Sequence, residues 1–295
     1  MWPRERRGLW LMAAPFLAGT VLLVLGPALW SLAMAFTDWN LVRPPSFVGA
    51  DNFRELAGDP DFRIALRNTL GFIAAAVPVR LIVTLVVGLI LARPGRGDRA
   101  ATVAVVAPAA VPEAAMALAW LWLLNPLYGP INLVLGGLGL PTPAWLTEPT
   151  TARWAIVLMA TFAVGEGVVL VRAARAQLPR GVYEMAAEQG AGPASSFVRV
   201  TLPLLAPILV LLAVRDTAMS MHSTFVPALL VTQGGPPPSA TTYLPLFVYR
   251  EGFEYLRYGY ASAASVCLLA VSASIVWLEY RLVRRWGARA LQPMG

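Results

Sequence analysis

Long apolar runs alternate with short arginine-bearing segments along this chain. A helix needs about 20 mainly apolar residues to cross the roughly 30 Å hydrocarbon core of a bilayer. Runs of this kind recur along the sequence, and they predict spanning helices at 9–36, 69–92, 101–124, 154–171, 204–225 and 260–278. The predicted fold is an all-α integral membrane protein, a bundle of six transmembrane helices in one domain over residues 1–295.

The first run raises the alternative of a cleaved secretory signal, because it follows the basic stretch RERR. Signal peptides carry apolar regions of about 7–15 residues. The run at 9–36 is much longer, so we interpret it as a retained helix.

Composition agrees with a membrane protein. Hydrophobic residues make up 58% of the chain and charged residues only 13%, against about 25% charged in soluble domains. Cys267 is the only cysteine, which excludes a disulfide or a cysteine-based metal site within one chain. The net charge of +7 comes from arginines at the ends of apolar runs, a pattern of membrane topology rather than of nucleic-acid binding.

Arginine is divided unequally between the two sides of the predicted bundle. With the N-terminus inside, fourteen arginines fall in inner segments and seven in outer ones. Because basic residues favour the cytoplasmic side, both termini are expected in the cytoplasm of a multi-pass protein of the cell membrane. The same count places the loop at 179–203 on the cytoplasmic side.

That loop carries the helix signals of a short ordered element, in the stretch YEMAAEQGAGPASSFVRVTLP. Pro179 suits the start of a helix, and Gly190 suits the left-handed residue that ends one. Pro193 then suits the first turn of a second helix. The loop is therefore predicted to form two short helices joined at a glycine.

One face of the first short helix carries acidic side chains and small side chains. Glu184, Ala187, Glu188 and Ala191 are spaced at i, i+3, i+4 and i+7. A helix lying on the membrane surface usually presents Lys or Arg to anionic lipid. The carboxylates therefore favour a docking helix for a cytoplasmic protein over a helix that lies on lipid.

This stretch resembles the EAA loop of bacterial ABC importer permeases. The residues that match the pattern of that loop are Glu184, Ala186, Ala187, Gly190, Ala191, Phe197, Leu202 and Pro203. Met185 and Gln189 depart from the pattern, which favours Ala and Asp there. Three further blocks resemble, in the same order, sugar permeases of the maltose-transporter type: VGADNFREL with DPDFRIALRNTLGF, WLWLLNPLYGPIN, and TQGGPPPSATTYLPLFVYREGFEYLRYGYASAASV.

The resemblance implies a set of partners. Such a permease pairs with a second, similar permease, binds two cytoplasmic ATPase subunits, and receives substrate from an extracytoplasmic binding protein. It implies that an ATPase docks on Glu184, Ala187, Glu188, Gly190 and Ala191, and that ATP and Mg²⁺ bind to the ATPases, with no cofactor on this chain. Independently of the resemblance, the sequence contains no G-x-x-x-x-G-K-[ST] phosphate-binding motif.

Five ionisable residues lie inside predicted spans: Arg80, Glu113, Glu166, Arg215 and Asp216. A charge at a helix centre costs about 2.5–3.5 kcal/mol on insertion scales unless it is paired or hydrated. One interpretation is that some of them line the translocation path. The other is internal pairing, Arg80 with Glu113 or Glu166, and Arg215 with Asp216 or a carboxylate of a partner subunit.

Four aromatic residues are candidates for stacking on the C–H face of a sugar: Trp120, Trp122, Phe162 and Phe225. The alternative for each is contact with lipid, a place in an interfacial aromatic belt, or packing.

The function implied is import of a mono- or oligosaccharide by an ATP-driven machine, without enzymatic activity on this chain. Glycerol phosphate or a phosphodiester is the alternative cargo, because intramembrane arginines suit an anion, whereas Glu113 and Glu166 oppose one. An ion-coupled secondary transporter usually shows an internal repeat, which is not evident here. An intramembrane enzyme would need a motif such as H-E-x-x-H, which the sequence lacks.

Overall fold

The computed structural model describes residues 3–92, 95, 97–236 and 239–290, without the side chains of 3–7, 180 and 282–290. Arg93 and Arg96, which contribute to the predicted charge bias, lie outside the described residues. Helices form the architecture, and the chain divides into two compact units. Unit 1 combines Met1–Phe62 with Phe247–Ala270, and unit 2 combines Arg63–Leu246 with Val271–Gly295.

Unit 1 begins with one long apolar helical rod. It consists of α1 (Pro3–Thr20), a π-helical turn (Val21–Leu25) and α2 (Gly26–Met34). The wide turn lies immediately before Pro27, whose ring nitrogen has no hydrogen to donate to the preceding turn. The rod therefore continues through a residue that would interrupt a regular α-helix. The short helix α3 (Asp51–Gly58) and the start of α4 (Pro60–Leu91) follow.

The segment after α2 is fixed to α3 by a buried amide. The side-chain nitrogen of Asn52 donates to the carbonyl oxygens of Ala35 at 2.9 Å and Thr37 at 2.8 Å. Gly259 lies against the same segment, and a Cβ atom there would be 1.9 Å from the oxygen of Thr37. A glycine is required at this close approach.

Ion pairs join the remaining parts of unit 1. Arg257 contacts Glu55 and, at 3.2 Å, Glu251. Tyr260 donates to the carboxylate of Asp59 at 2.5 Å. Burial raises the pKa of Glu251, and the guanidinium of Arg257 offsets part of that rise.

Unit 2 contains the rest of α4 and most of the shorter helices. In chain order these are α5 (Asp98–Val106), a 3₁₀ turn (Ala107–Ala110), α6 (Glu113–Leu123), α7 (Pro130–Gly137), α8 (Pro149–Phe162), α9 (Gly165–Ala176), α10 (Arg180–Glu188), α11 (Pro193–Ser196), α12 (Leu202–Ser223) and α13 (Phe225–Pro227). Both α14 (Leu244–Tyr249) and α15 (Tyr258–Ala290) begin in one unit and end in the other.

Four helical stretches of the described chain are long and apolar enough to cross a membrane: Gly8–Met34, Pro60–Leu91, Pro193–Thr232 and Tyr258–Arg281. Two further candidates are bent pairs, α5 with the 3₁₀ turn and α6 at 105°, and α8 with α9 at 50°. The count reaches six when each bent pair is taken as one span.

The predicted spans at 101–124 and 154–171 thus correspond to the two bent helix pairs rather than to unbroken helices. In the first, Pro112 removes a backbone donor and disfavours helical geometry at the residue before it, and Val111 is extended, with ψ of 132°. In the second, the chain turns just before Gly165, where a Cβ would lie 2.5 Å from the carbonyl oxygen of Val105. Both breaks depend on backbone details that hydropathy does not register.

The second short helix of the 179–203 loop is also different from the prediction. Instead of a separate helix, α11 continues through a π-helical turn (Phe197–Thr201) into α12. The wider turn precedes Pro203, so the missing N–H of that proline does not end the helix. The helix that contains the predicted span 204–225 thus extends from Pro193 to Thr232.

The core of unit 2 brings α4, α9 and α12 close together. Val171, Leu205 and Leu212 are fully buried, and leucines of α4 pack on them. A Cβ at Gly88 would lie 2.7 Å from the side chain of Val171, and one at Gly167 would lie 2.9 Å from Thr84. Small residues let helices of membrane proteins approach closely, and here they bring the charged residues of three helices within contact distance.

Candidate functional site

The predicted docking helix exists as α10, Arg180–Glu188. It starts after Pro179, which has extended geometry, and it ends before Gly190, with φ of +77°. The N–H of Ala191 bonds to the oxygen of Ala186 at 2.9 Å and closes the end of the helix. The predicted role of Gly190 as the left-handed terminating residue is confirmed.

The acidic face of α10 is exposed. Glu184, Ala187, Glu188 and Gly190 are all exposed, and Ala191 is half-buried. Met185 adds an exposed apolar side chain beside them, with 56% of its surface accessible. The helix therefore presents carboxylates around an apolar centre, a combination suited to a protein surface with basic and apolar parts.

The opposite side of α10 is anchored through Tyr183. Its hydroxyl lies 3.0 Å from Oγ1 of Thr201, and the guanidinium of Arg175 lies 4.4 Å from the centre of its ring. These contacts tie α10 to α9 and to the turn that leads into α12. Sequence reasoning missed Tyr183, although its position next to Glu184 placed it about 100° away on the helix, off the acidic face.

The intramembrane charges form a network across α4, α9 and α12. Nη2 of Arg80 lies 3.3 Å from Oδ1 of Asp216. Arg215 contacts the carboxylate of Glu166 and has a second, longer contact of 3.8 Å with Asp216. The expected pairing of Arg80 with Glu113 or Glu166 is therefore wrong, whereas a pair of Arg215 with Asp216 is present.

These pairings follow from the directions in which consecutive side chains of α12 point. Consecutive residues project about 100° apart on a helix, so Asp216 reaches α4 while Arg215 reaches α9. Two positive and two negative groups make the network neutral in total. Hydropathy located the charges along the chain but not the direction in which each one points.

One ion pair of this network is buried and the other is exposed. The side chains of Arg80 and Asp216 are 10% and 7% exposed, whereas those of Arg215 and Glu166 are 37% and 62% exposed. The buried pair connects α4 to α12. The exposed pair of Arg215 and Glu166 is the accessible part of the network.

Glu113 lies apart from this network. It is exposed in the first turn of α6, immediately after the 105° break, and it has no ion pair with any residue that the structure describes. The helix N-terminus is a favourable place for a carboxylate, because the backbone dipole is positive there.

The four aromatic candidates have different surroundings. Trp120 is buried and packs edge-to-face on Phe162, with ring centres 5.4 Å apart. Trp122 and Phe162 are more than half exposed, and Phe225 is half-buried in α13. Trp120 therefore contributes to packing in this conformation, and the exposed rings available for a sugar face are Trp122 and Phe162.

One intramembrane carboxylate escaped the sequence analysis. Glu279 lies one residue beyond the predicted sixth span at 260–278. It accepts a hydrogen bond of 2.7 Å from Oγ1 of Thr217, and its second oxygen is buried without a partner among the described residues. The signal was available, because α15 continues well past that boundary in uninterrupted helix-forming residues.

The long apolar helices define a multi-pass helical membrane protein. Residues 84–288 match the family described as "Binding-protein-dependent transport system inner membrane component". The match covers more than two thirds of the chain, so the chain belongs to that family.

Curated relatives extend the match over most of the sequence. The chain is 28% identical over 277 residues to the probable ABC transporter permease protein YesP of Bacillus subtilis, covering 92% of this chain and 89% of that protein. It is 30% identical over 282 residues to the sn-glycerol-3-phosphate transport system permease protein UgpA of Yersinia pestis, covering 94% of each. It is 29% identical over 242 residues to the sulfoquinovosyl glycerol transport system permease protein SmoG of Agrobacterium fabrum, covering 82% of this chain and 78% of that protein.

A solved structure agrees in fold. One chain in the crystal structure of a bacterial alginate ABC transporter, in complex with alginate pentasaccharide-bound periplasmic protein, matches with a TM-score of 0.82. It is 23% identical, and 96% of each chain is covered. The chain described here is thus a permease subunit of an ABC importer, a transport component rather than an enzyme.

Proposed function

We propose that this permease imports a carbohydrate delivered by an extracytoplasmic binding protein, and that ATPase subunits drive it through α10. In this proposal the chain pairs with a second permease, and two ATPase copies hold the ATP and Mg²⁺. Both termini and α10 lie in the cytoplasm, as the arginine distribution favours.

The observation that carries the docking proposal is the two-sided character of α10. Glu184, Met185 and Glu188 are exposed on one side, while Tyr183 ties the other side to Thr201 and Arg175. A helix that merely floated at the surface would not need such an anchor. Because α11 runs continuously into α12, a displacement of α10 and α11 by a bound ATPase is transmitted to the helix that carries Arg215 and Asp216.

The neutrality of the charge network supports an uncharged cargo. Arg80 and Arg215 both contact carboxylates, so neither offers an uncompensated positive charge to an anion. The polar, partly exposed pair of Arg215 and Glu166 offers donors and acceptors together, which is what a sugar hydroxyl requires. The exposed ring of Phe162, near the start of the helix that carries Glu166, adds an apolar plate.

Glycerol phosphate is the second candidate cargo. It is favoured by the similarity to UgpA, whose name states that substrate, at 30% identity over 94% of both chains. An anion would have to displace Glu166 from Arg215, or reach an arginine outside this network. Uptake into proteoliposomes containing the full transporter distinguishes the two cargoes: labelled neutral oligosaccharides and labelled glycerol 3-phosphate are compared with the cognate binding protein present.

Co-purification tests the docking proposal. The tagged permease is purified with the second permease and the ATPase encoded beside it, as wild type and as Glu184→Arg/Gly190→Pro. The matched control is Glu148→Arg, which reverses an exposed carboxylate outside α10. We expect the ATPase to remain with wild type and control and to be lost from the double variant while that variant still inserts in the membrane. ATPase retention by an inserted double variant, or its absence from wild type, would contradict the proposal.

A further inference from the structure

A cleft of about 540 Å³ lies between α4 and α8, away from the charge network and from α10. Its walls are one face of each helix together with Ala240 and Tyr243 from the segment before α14: residues 64, 67, 68, 71, 72 and 75 on α4, and residues 150, 153, 154 and 157 on α8. These spacings follow the i, i+3, i+4 pattern of a single helical face. The cleft is therefore a groove that runs along two neighbouring helices.

Two arginines line the groove, one on each helix. Arg67 and Arg153 are both exposed, and no acidic residue is among those that line the cleft. Nε of Arg153 donates to the carbonyl oxygen of Ala240 at 3.2 Å, which fixes its stem. The guanidinium groups thus present two positive charges to the groove without a carboxylate in its walls.

On the side of the two apolar runs, the lining of both helices is apolar. Gly71, Ala75 and Val157 line the groove beyond the arginines, and Ala75 lies about 12 Å from Arg67 along the helix axis at 1.5 Å per residue. Trp154, 54% exposed, lies beside the arginines. Tryptophan and arginine are typical of the boundary between headgroups and hydrocarbon.

The position along α4 assigns a membrane level to the cleft. Arg67 lies just before the apolar run at 69–92, and Arg153 just before the run at 154–171. At the other end of α4, Leu89 and the following residue Ala92 line a second, separate cleft together with Tyr183 of α10. Arg67 and Leu89 are separated by about 33 Å of helix, so the groove lies at the opposite membrane surface from α10.

We infer that this groove binds an anionic phospholipid, with the phosphate between Arg67 and Arg153 and an acyl chain along Gly71, Ala75 and Val157. Arginine guanidinium groups form charge-assisted, often bidentate hydrogen bonds with phosphate groups. A soluble anion would satisfy the arginines but would leave the apolar wall uncovered. The combination of charge at the boundary and an apolar floor favours a lipid over a soluble phosphate or a uronic acid.

Lipid retention by the complete transporter tests this inference. The complex with its partner subunits is purified in detergent and titrated with phosphatidylglycerol or with phosphatidylcholine of the same acyl chains, and bound lipid is counted by native mass spectrometry. The variants are Arg67→Gln/Arg153→Gln, and Arg63→Gln as a matched control one turn away on α4 and outside the groove. At about fivefold per arginine, the double variant should bind phosphatidylglycerol about 25-fold more weakly, with the control unchanged.

A second variant covers the case in which the arginine substitutions impair folding. Gly71→Leu keeps both arginines, and a Cβ at Gly71 meets no atom within 4 Å, so the new side chain enters the groove. It should reduce phosphatidylglycerol retention with the complex intact. Equal binding of phosphatidylcholine, unchanged retention in both variants, or displacement of the lipid by millimolar inorganic phosphate would overturn the inference. Absence of bound lipid from the wild-type complex would do so as well, since a partner subunit would then occupy the groove.

Discussion

The buried pair of Arg80 and Asp216 makes an asymmetric prediction about stability. Asp216 has two cationic neighbours, Arg80 at 3.3 Å and Arg215 at 3.8 Å. Arg80 forms an ion pair only with Asp216, and its Nε is buried without a hydrogen bond, among the residues that the structure describes. Neutralising Asp216 therefore leaves Arg80 unpaired, whereas neutralising Arg80 leaves Asp216 near Arg215.

The magnitudes follow from the geometry. Removing one member of a buried pair costs about 3–5 kcal/mol because the other charge is left uncompensated. We expect about 4 kcal/mol for Asp216→Asn. For Arg80→Gln we expect about 2 kcal/mol, since at an effective dielectric constant near 20 the remaining contact at 3.8 Å still contributes several kcal/mol of attraction. The double variant should cost clearly less than the sum of the two.

The assay is reversible unfolding of the purified permease in mixed micelles, followed by tryptophan fluorescence and circular dichroism. The control is Arg172→Gln, which breaks the ion pair with Asp98, whose side chains are 32% and 26% exposed; at most about 1 kcal/mol is expected there. If Arg80→Gln destabilised as much as Asp216→Asn, or if the two effects simply added, the reasoning about a buried, asymmetric network would be refuted.

Three further predictions concern the backbone and one titrating group. Gly190→Ala should cost about 1 kcal/mol of unfolding free energy, because φ is +77° at this residue just after α10. Gly181→Ala within α10, with open space around its Cβ, should be neutral or slightly stabilising, and thermal unfolding compares the two variants. Gly165→Ala should lower the melting temperature, at a cost of about 1–3 kcal/mol, since its Cβ would lie 2.5 Å from the oxygen of Val105. Burial holds the pKa of Glu251 above its unfolded value, so its contribution to stability is present at low pH and is lost as pH rises through the folded pKa. The melting temperature of the wild type should therefore fall over that pH range, and the fall should be smaller in Glu251→Gln. An unchanged dependence of the melting temperature on pH in the variant would exclude the assignment.

Helix α10 was predictable because its signals are local. A helix-starting proline, a run of helix formers and a glycine with positive φ act within about a dozen residues, and α10 ends where Gly190 required. The extent of the following helix was not predictable in the same way. Pro193 and Pro203 both suggest helix starts, but the π-helical turn between them merges the two segments. That outcome depends on how the chain packs against its neighbours.

The bent spans show the same division. Pro108 and Pro112 lie within the third apolar run, but the angle of 105° follows from the extended residue Val111 between the 3₁₀ turn and α6. Hydropathy counts residues along a run and does not sense direction. The sequence therefore showed prolines in the run but did not indicate a near right-angle turn of the backbone.

The sequence by itself determined that the chain lies in a lipid bilayer. It also determined the positions of the apolar runs, the distribution of arginine and the acidic face of α10. All of these depend on composition or on neighbours a few residues away. The tertiary structure decided that Arg80 meets Asp216, that Arg215 meets Glu166, and that Arg67 and Arg153 share one groove. The physical reason is that helices in lipid are apolar on nearly every side. No polar stripe then indicates which way a helix faces, so only close packing at glycines such as Gly88 and Gly167 fixes the rotation that brings these charges together.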